Sequence, residues 1–189
     1  MNVALFLVAV PDLTGGGGAE RQFSNFYEYF NSSKNHSKNK LYLITDKDSL
    51  KNLKKADLIK NDTNVIVLKT YKVTYLNFLN FVFQLLSKKI DLLHVVNTYT
   101  HYNFNLIYKF KKIHKWLGVK LSINNEVAEL IDEMKTYNNS GFVAPRYMNS
   151  FKIVLENIKP VGVYTWYKTV ATELKKSNLV DANKCVVKS

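Results

Sequence analysis

The chain has 189 residues, of which 47% are hydrophobic and 22% charged; this is enough for one sizeable core and excludes both an intrinsically disordered protein and a pair of complete nucleotide-binding domains. Its 27 Lys and Arg against 15 Asp and Glu leave a net charge of +12, which favours an anionic partner or else marks a solvated lysine face. The single cysteine, Cys185, excludes an internal disulfide and a multi-cysteine metal site, and fits a reducing, cytoplasmic compartment.

Residues 3–10 form an apolar run with no Lys or Arg before it and Pro11-Asp12 directly after it, so it lacks the parts of a signal peptide and predicts a first strand. Four glycines, Gly15, Gly16, Gly17 and Gly18, separate it from a helical pattern over 19–31 that carries Arg21 near its start. Such a turn lets backbone approach a ligand closely, and the free N–H groups of the following helix turn make it a candidate cradle for phosphate. A flexible connector is the alternative. Neither familiar phosphate motif fits: counted from Gly15, the sixth place of the dinucleotide fingerprint holds Glu20, and the Gly-Lys-Ser/Thr of a P-loop is replaced by Glu20, Arg21 and Gln22.

A second strand is expected over 41–45, ending at Asp46, the position from which an NAD-dependent enzyme holds ribose; the failed fingerprint counts against that reading. A helix over 50–56 and a strand over 65–68 follow. The helix expected over 73–87 has Leu76, Leu79, Phe83 and Leu86 on one stripe, broadened by Phe78, Phe81, Val82 and Leu85. One stripe covers the sheet, and the surplus, with lysines near the helix ends, lies against an anionic bilayer or is covered by a neighbouring helix or domain. The helix is too short and too polar to span a membrane.

The strand over 92–96 runs into Asn97, Thr98, Tyr99, Thr100 and His101, and after a helix over 102–116 the strand over 119–123 runs into Asn124, Asn125 and Glu126. These donors and acceptors suit sugar hydroxyls, although Asn and Thr also serve as turn formers and caps. Residues 126–144 have no clear period and read as a long loop. A helix over 146–158, a strand over 161–165, a helix over 167–176 and a strand over 184–187 complete the pattern. Strands alternating with helices predict a Rossmann-like, doubly wound α/β domain covering residues 1–189, with a mainly parallel sheet of about seven strands and helices on both faces. Its strand-to-helix turns gather at the carboxyl edge of the sheet. His36, His94, His101 and His114 lack metal-ligand spacing, and the lysines follow no nucleic-acid-binding motif.

The run Pro11-Asp12-Leu13-Thr14-Gly15-Gly16-Gly17-Gly18-Ala19-Glu20-Arg21 resembles the opening loop of the family-4 retaining glycosyltransferases of the GT-B type. Ile90-Asp91-Leu92-Leu93-His94-Val95-Val96-Asn97, Gly118-Val119-Lys120-Leu121-Ser122-Ile123, the run 160–174 and the closing run 183–187 are similar to later strands of that family's amino-terminal domain. The resemblance implies the acceptor-side half of an enzyme that moves a sugar from a nucleotide-sugar to a glycan or lipid-linked acceptor, without metal or other cofactor. Gly15 to Gly18 and Arg21 would meet the donor phosphates or sugar, and Asn97, Thr98, Tyr99, His101, Asn124, Asn125 and Glu126 would hold the acceptor or donor sugar. No catalytic residue is assigned. The chain departs from the family in having Asn124 and Asn125 where a His is common, and it lacks the carboxyl-terminal domain that supplies most nucleotide contacts. Alone it is expected to be inactive; the alternative is a binding module, or half of a split transferase completed by a partner chain.

Overall fold

The computed structural model describes residues 1–8, 10, 23, 25, 27, 39–59, 64–69, 75–96, 113–125, 161–165, 168–176 and 185–187. Seven strands, β1 (Asn2–Phe6), β2 (Lys40–Asp46), β3 (Val65–Leu68), β4 (Leu92–Val95), β5 (Lys120–Asn125), β6 (Gly162–Thr165) and β7 (Cys185–Val187), form one sheet in the order β3-β2-β1-β4-β5-β6-β7. Every neighbouring pair is parallel. The described helices are α1 (Lys47–Lys55), α2 (Tyr75–Ser87), α3 (His114–Leu117) and α4 (Lys168–Lys176), and Phe23, Asn25 and Tyr27 are helical as well. This is the expected doubly wound, Rossmann-like α/β arrangement.

Strand β1 shows why the sheet needs cover on both faces. Its side chains alternate, so Ala4 and Phe6, continued by Val8, enter one core cluster with Phe81 and Leu85 of α2, while Val3 and Leu5, continued by Leu7, enter another with Phe23 and Leu53. Ile113, Leu117 and Ala171 place α3 and α4 on the α2 face. The Phe6 and Phe81 rings meet edge to face, with centroids 5.7 Å apart.

Several boundaries differ from the sequence expectation, each for a local reason. β1 stops at Phe6 although Leu7, Val8 and Val10 are buried, because an apolar run reports burial rather than strand pairing. α1 starts at Lys47, earlier than residue 50, because the Asp46 side chain accepts from the N–H groups of Asp48 and Ser49. β5 continues through Asn125, where Asn124 and Asn125 are in register with Tyr164 and Thr165 of β6; these residues close the strand instead of following it. Of the helix expected over 102–116, only its end falls within the described residues, and the loop 126–144 and the helix 146–158 lie outside them.

Two helices end in the same way. At α1, Leu58 N–H donates to Leu53 C=O and Asp57 N–H to Lys54 C=O; at α2, Ile90 N–H donates to Leu85 C=O and Lys89 N–H to Leu86 C=O. This paired closure puts Asp57 at φ 54° and Lys89 at φ 50°, the left-handed position that glycine usually takes. Gly118, at φ 68°, turns the chain from α3 into β5.

Candidate functional site

The chain reverses its winding direction between β1 and β4: β1 leads outward to β2 and β3, and α2 then carries it back to β4 on the other side of β1. In doubly wound sheets the crevice at such a switch, beyond the carboxyl ends of the strands, is where ligands bind. Here β1 leads into the glycine turn, β4 into Asn97–His101, and β5 ends at Asn125. These three strands are adjacent in the sheet, so the strand ends that precede the three predicted segments lie along one edge.

The entrance to the glycine turn is held by α1. Val10 N–H donates to Ser49 Oγ at 2.9 Å and its carbonyl accepts from Asn52 Nδ2 at 2.8 Å. Ser49 Oγ in turn donates to Asp46 Oδ2, while Asp46 Oδ1 takes the N–H groups of Asp48 and Ser49 at 3.1 and 3.0 Å. Asp46 is buried with both carboxylate oxygens engaged in this cap. It therefore does structural work at the position where a ribose-binding acid would stand, which removes the residue an NAD-dependent reading requires. Ser49 and Asn52 escaped sequence reasoning, because their partners, Asp46 and Val10, are recognised only once α1 is seated beside the end of β1.

At the carboxyl half of the central strands, His94 of β4 is buried with its Nδ1 2.7 Å from Ser122 Oγ, on the register-matched residue of β5. Within a parallel sheet this contact gives the Nδ1 of His94 and the hydroxyl of Ser122 a polar partner. Of the predicted site residues, Asn124 and Asn125 are placed as the last residues of β5; Gly15, Gly16, Gly17, Gly18, Arg21, Asn97, Thr98, Tyr99, His101 and Glu126 lie outside the described residues. Among the described residues no cluster of three His, Cys, Asp or Glu can hold a metal ion, and no helix is long and apolar enough to cross a membrane.

No family model and no curated protein sequence matches the chain. Solved structures do. The UDP-GlcNAc 2-epimerase of Neisseria meningitidis, bound to UDP-GlcNAc, aligns with a TM-score of 0.63 at 12% identity over 99% of this chain and 46% of its own. The UDP-GlcNAc 2-epimerase of Methanocaldococcus jannaschii aligns with a TM-score of 0.58 at 10% identity over 99% of this chain and 45% of its own. A glycosyltransferase of Rickettsia africae ESF-5 is more distant, with a TM-score of 0.48 at 16% identity over 98% and 42%. The chain thus spans about half the length of these structures. At such identities the likeness concerns the fold alone, a Rossmann-like α/β domain.

Proposed function

We propose that this chain is the amino-terminal, acceptor-side half of a glycosyltransferase resembling family 4, which moves a sugar from a nucleotide-sugar to a glycan or lipid-linked acceptor with retention. The observation that supports the proposal is the position of β1, the strand that precedes the glycines in sequence, at the switch point of a sheet whose fold is shared with a UDP-GlcNAc-bound protein. Gly15 to Gly18 then face the donor phosphates or sugar, and Arg21 balances their charge. Asn97, Thr98, Tyr99 and His101 with Asn124, Asn125 and Glu126 hold sugar hydroxyls. A second domain or a partner chain supplies the nucleotide pocket, and the reaction needs no metal or other cofactor. The lipid-linked form of the acceptor and a peripheral contact with the cytoplasmic membrane face belong to the same reading.

A nucleotide-sugar epimerase is the second reading, favoured by the two structures with the higher TM-scores. The two part on the need for an acceptor. The completed protein is incubated with UDP- and GDP-sugars, with and without glycan acceptors, and sugar and nucleotide are followed by NMR. Release of nucleotide with sugar moved to the acceptor in the donor's anomeric configuration supports the first reading. A changed sugar without acceptor supports the second, and neither product overturns both. Replacing Gly16 and Gly17 with Val is expected to abolish turnover by blocking close approach of phosphate; full turnover with unchanged KM would make the turn a connector.

A further inference from the structure

Val10 is held by groups that the sheet does not supply. Among the described residues the β1 backbone last meets its neighbours at Leu7, whose N–H donates to Ile44 C=O, and at Phe6, whose C=O accepts from Val96 N–H. Beyond them both backbone groups of Val10 are taken by side chains of α1, those of Ser49 and Asn52, which stand three positions apart and so on one side of the helix. Leu53, next to Asn52, is buried in the same core cluster as Val10, so packing fixes the Val10 side chain while the two hydrogen bonds fix the peptide groups on either side of it.

Helix stability does not account for both partners. Ser49 is buried and belongs to the Asp46 cap, but Asn52 stands half-buried at the sixth position of a nine-residue helix, where asparagine is a poor helix former. What it supplies there is a donor for Val10 C=O. Val10 lies five residues before Gly15, and glycines lose more conformational freedom on being ordered than any other residue. An anchor close before such a run restricts the chain before a ligand arrives, which lowers the cost of binding. We propose that Ser49 and Asn52 are positioning residues for donor binding: through the backbone of Val10 they fix where the chain leaves β1, and so set the affinity for the nucleotide-sugar without touching it. This rests on the proposed role of the glycine turn. It adds control of the donor by α1, a helix that carries none of the residues expected to bind it.

Asn52 is the informative probe, because Ser49→Ala also takes a partner from Asp46. In Asn52→Ala better helix propensity offsets the lost bond, so the thermal midpoint is expected to stay within about 2 °C of wild type. The donor KM of the completed protein is expected to rise about tenfold, with acceptor KM and kcat within about twofold. Asn52→Gln keeps the amide and restores part of the donor KM. Thr45→Val, at a buried hydroxyl that makes no hydrogen bond among the described residues, leaves it unchanged. In the 189-residue chain, hydrogen exchange of the Val10 amide, followed by NMR, is expected to quicken about tenfold in Asn52→Ala while β4 and β5 stay protected. Unchanged donor KM, an equal rise for donor and acceptor, a rise of the same size in Thr45→Val, or activity lost in step with folded protein would overturn the inference and leave wild-type sugar transfer, and with it the proposed function, intact. A wild-type protein that turns over no nucleotide-sugar overturns the proposed function instead; the anchor is then decided by Val10 exchange, and an unchanged rate overturns it.

Discussion

Asp46 ends β2 and starts α1 with one carboxylate, and through Ser49 it also fixes Val10, where the chain leaves for the glycine turn. Replacing it with alanine removes a helix cap and orphans buried donors. Asp46→Ala is expected to cost about 1–2 kcal/mol, measured by chemical denaturation, and to loosen the entry to the turn. Ser122→Ala takes away the hydroxyl beside His94 Nδ1 and is expected to cost about 1–2 kcal/mol in the same assay, because a buried ring nitrogen loses a partner. Neither role could be read from the sequence. A lone Asp after a strand suits a ribose as well as a cap, and nothing in residue order says that His94 and Ser122, 28 positions apart, share a register. What a sequence does carry at this scale is local chemistry such as a glycine run; which partner a polar group finds depends on the completed sheet.

At the scale of elements, α2 separates stability from surface function within three residues. Phe81 is buried against Phe6, so Phe81→Ala is expected to cost about 3–5 kcal/mol. Phe83 is exposed, and Phe83→Ala is expected to change stability by less than about 0.5 kcal/mol; parallel thermal melts of the two variants check the contrast. At the end of the same helix Lys89 holds a left-handed conformation without being glycine, and Lys89→Gly is expected to stabilise the fold by roughly 0.5–1 kcal/mol. Strand existence was legible throughout, because each of the seven strands carries a continuous or alternating apolar pattern in the sequence. Strand ends were not, since Leu7 and Val8 are as buried as paired residues, and Asn124 and Asn125 pair although their composition reads as loop. The sequence likewise showed that α2 has two apolar stripes. Choosing the one that faces the sheet required Phe6 and Leu93 to be in place.

For the whole molecule, the strands that precede the three candidate segments, β1, β4 and β5, are adjacent and parallel, which follows from the alternating pattern once right-handed crossovers are assumed. Spanning about half of the structures it matches, the isolated chain is expected to bind UDP- or GDP-sugars more weakly than micromolar, checked by calorimetry; sub-micromolar affinity would mean over about 8 kcal/mol from this half alone. The central position of β1 has a consequence for biogenesis. Of the seven strands β1 is synthesised first, yet half of its backbone pairs with β4 and its Asn2 is tied to Asp91, 89 positions later. Until that distant segment is synthesised, this apolar central strand presents an unpaired edge, so nascent chains must be shielded during a slow, non-local closure, and synthesis that stalls before β4 leaves an aggregation-prone fragment.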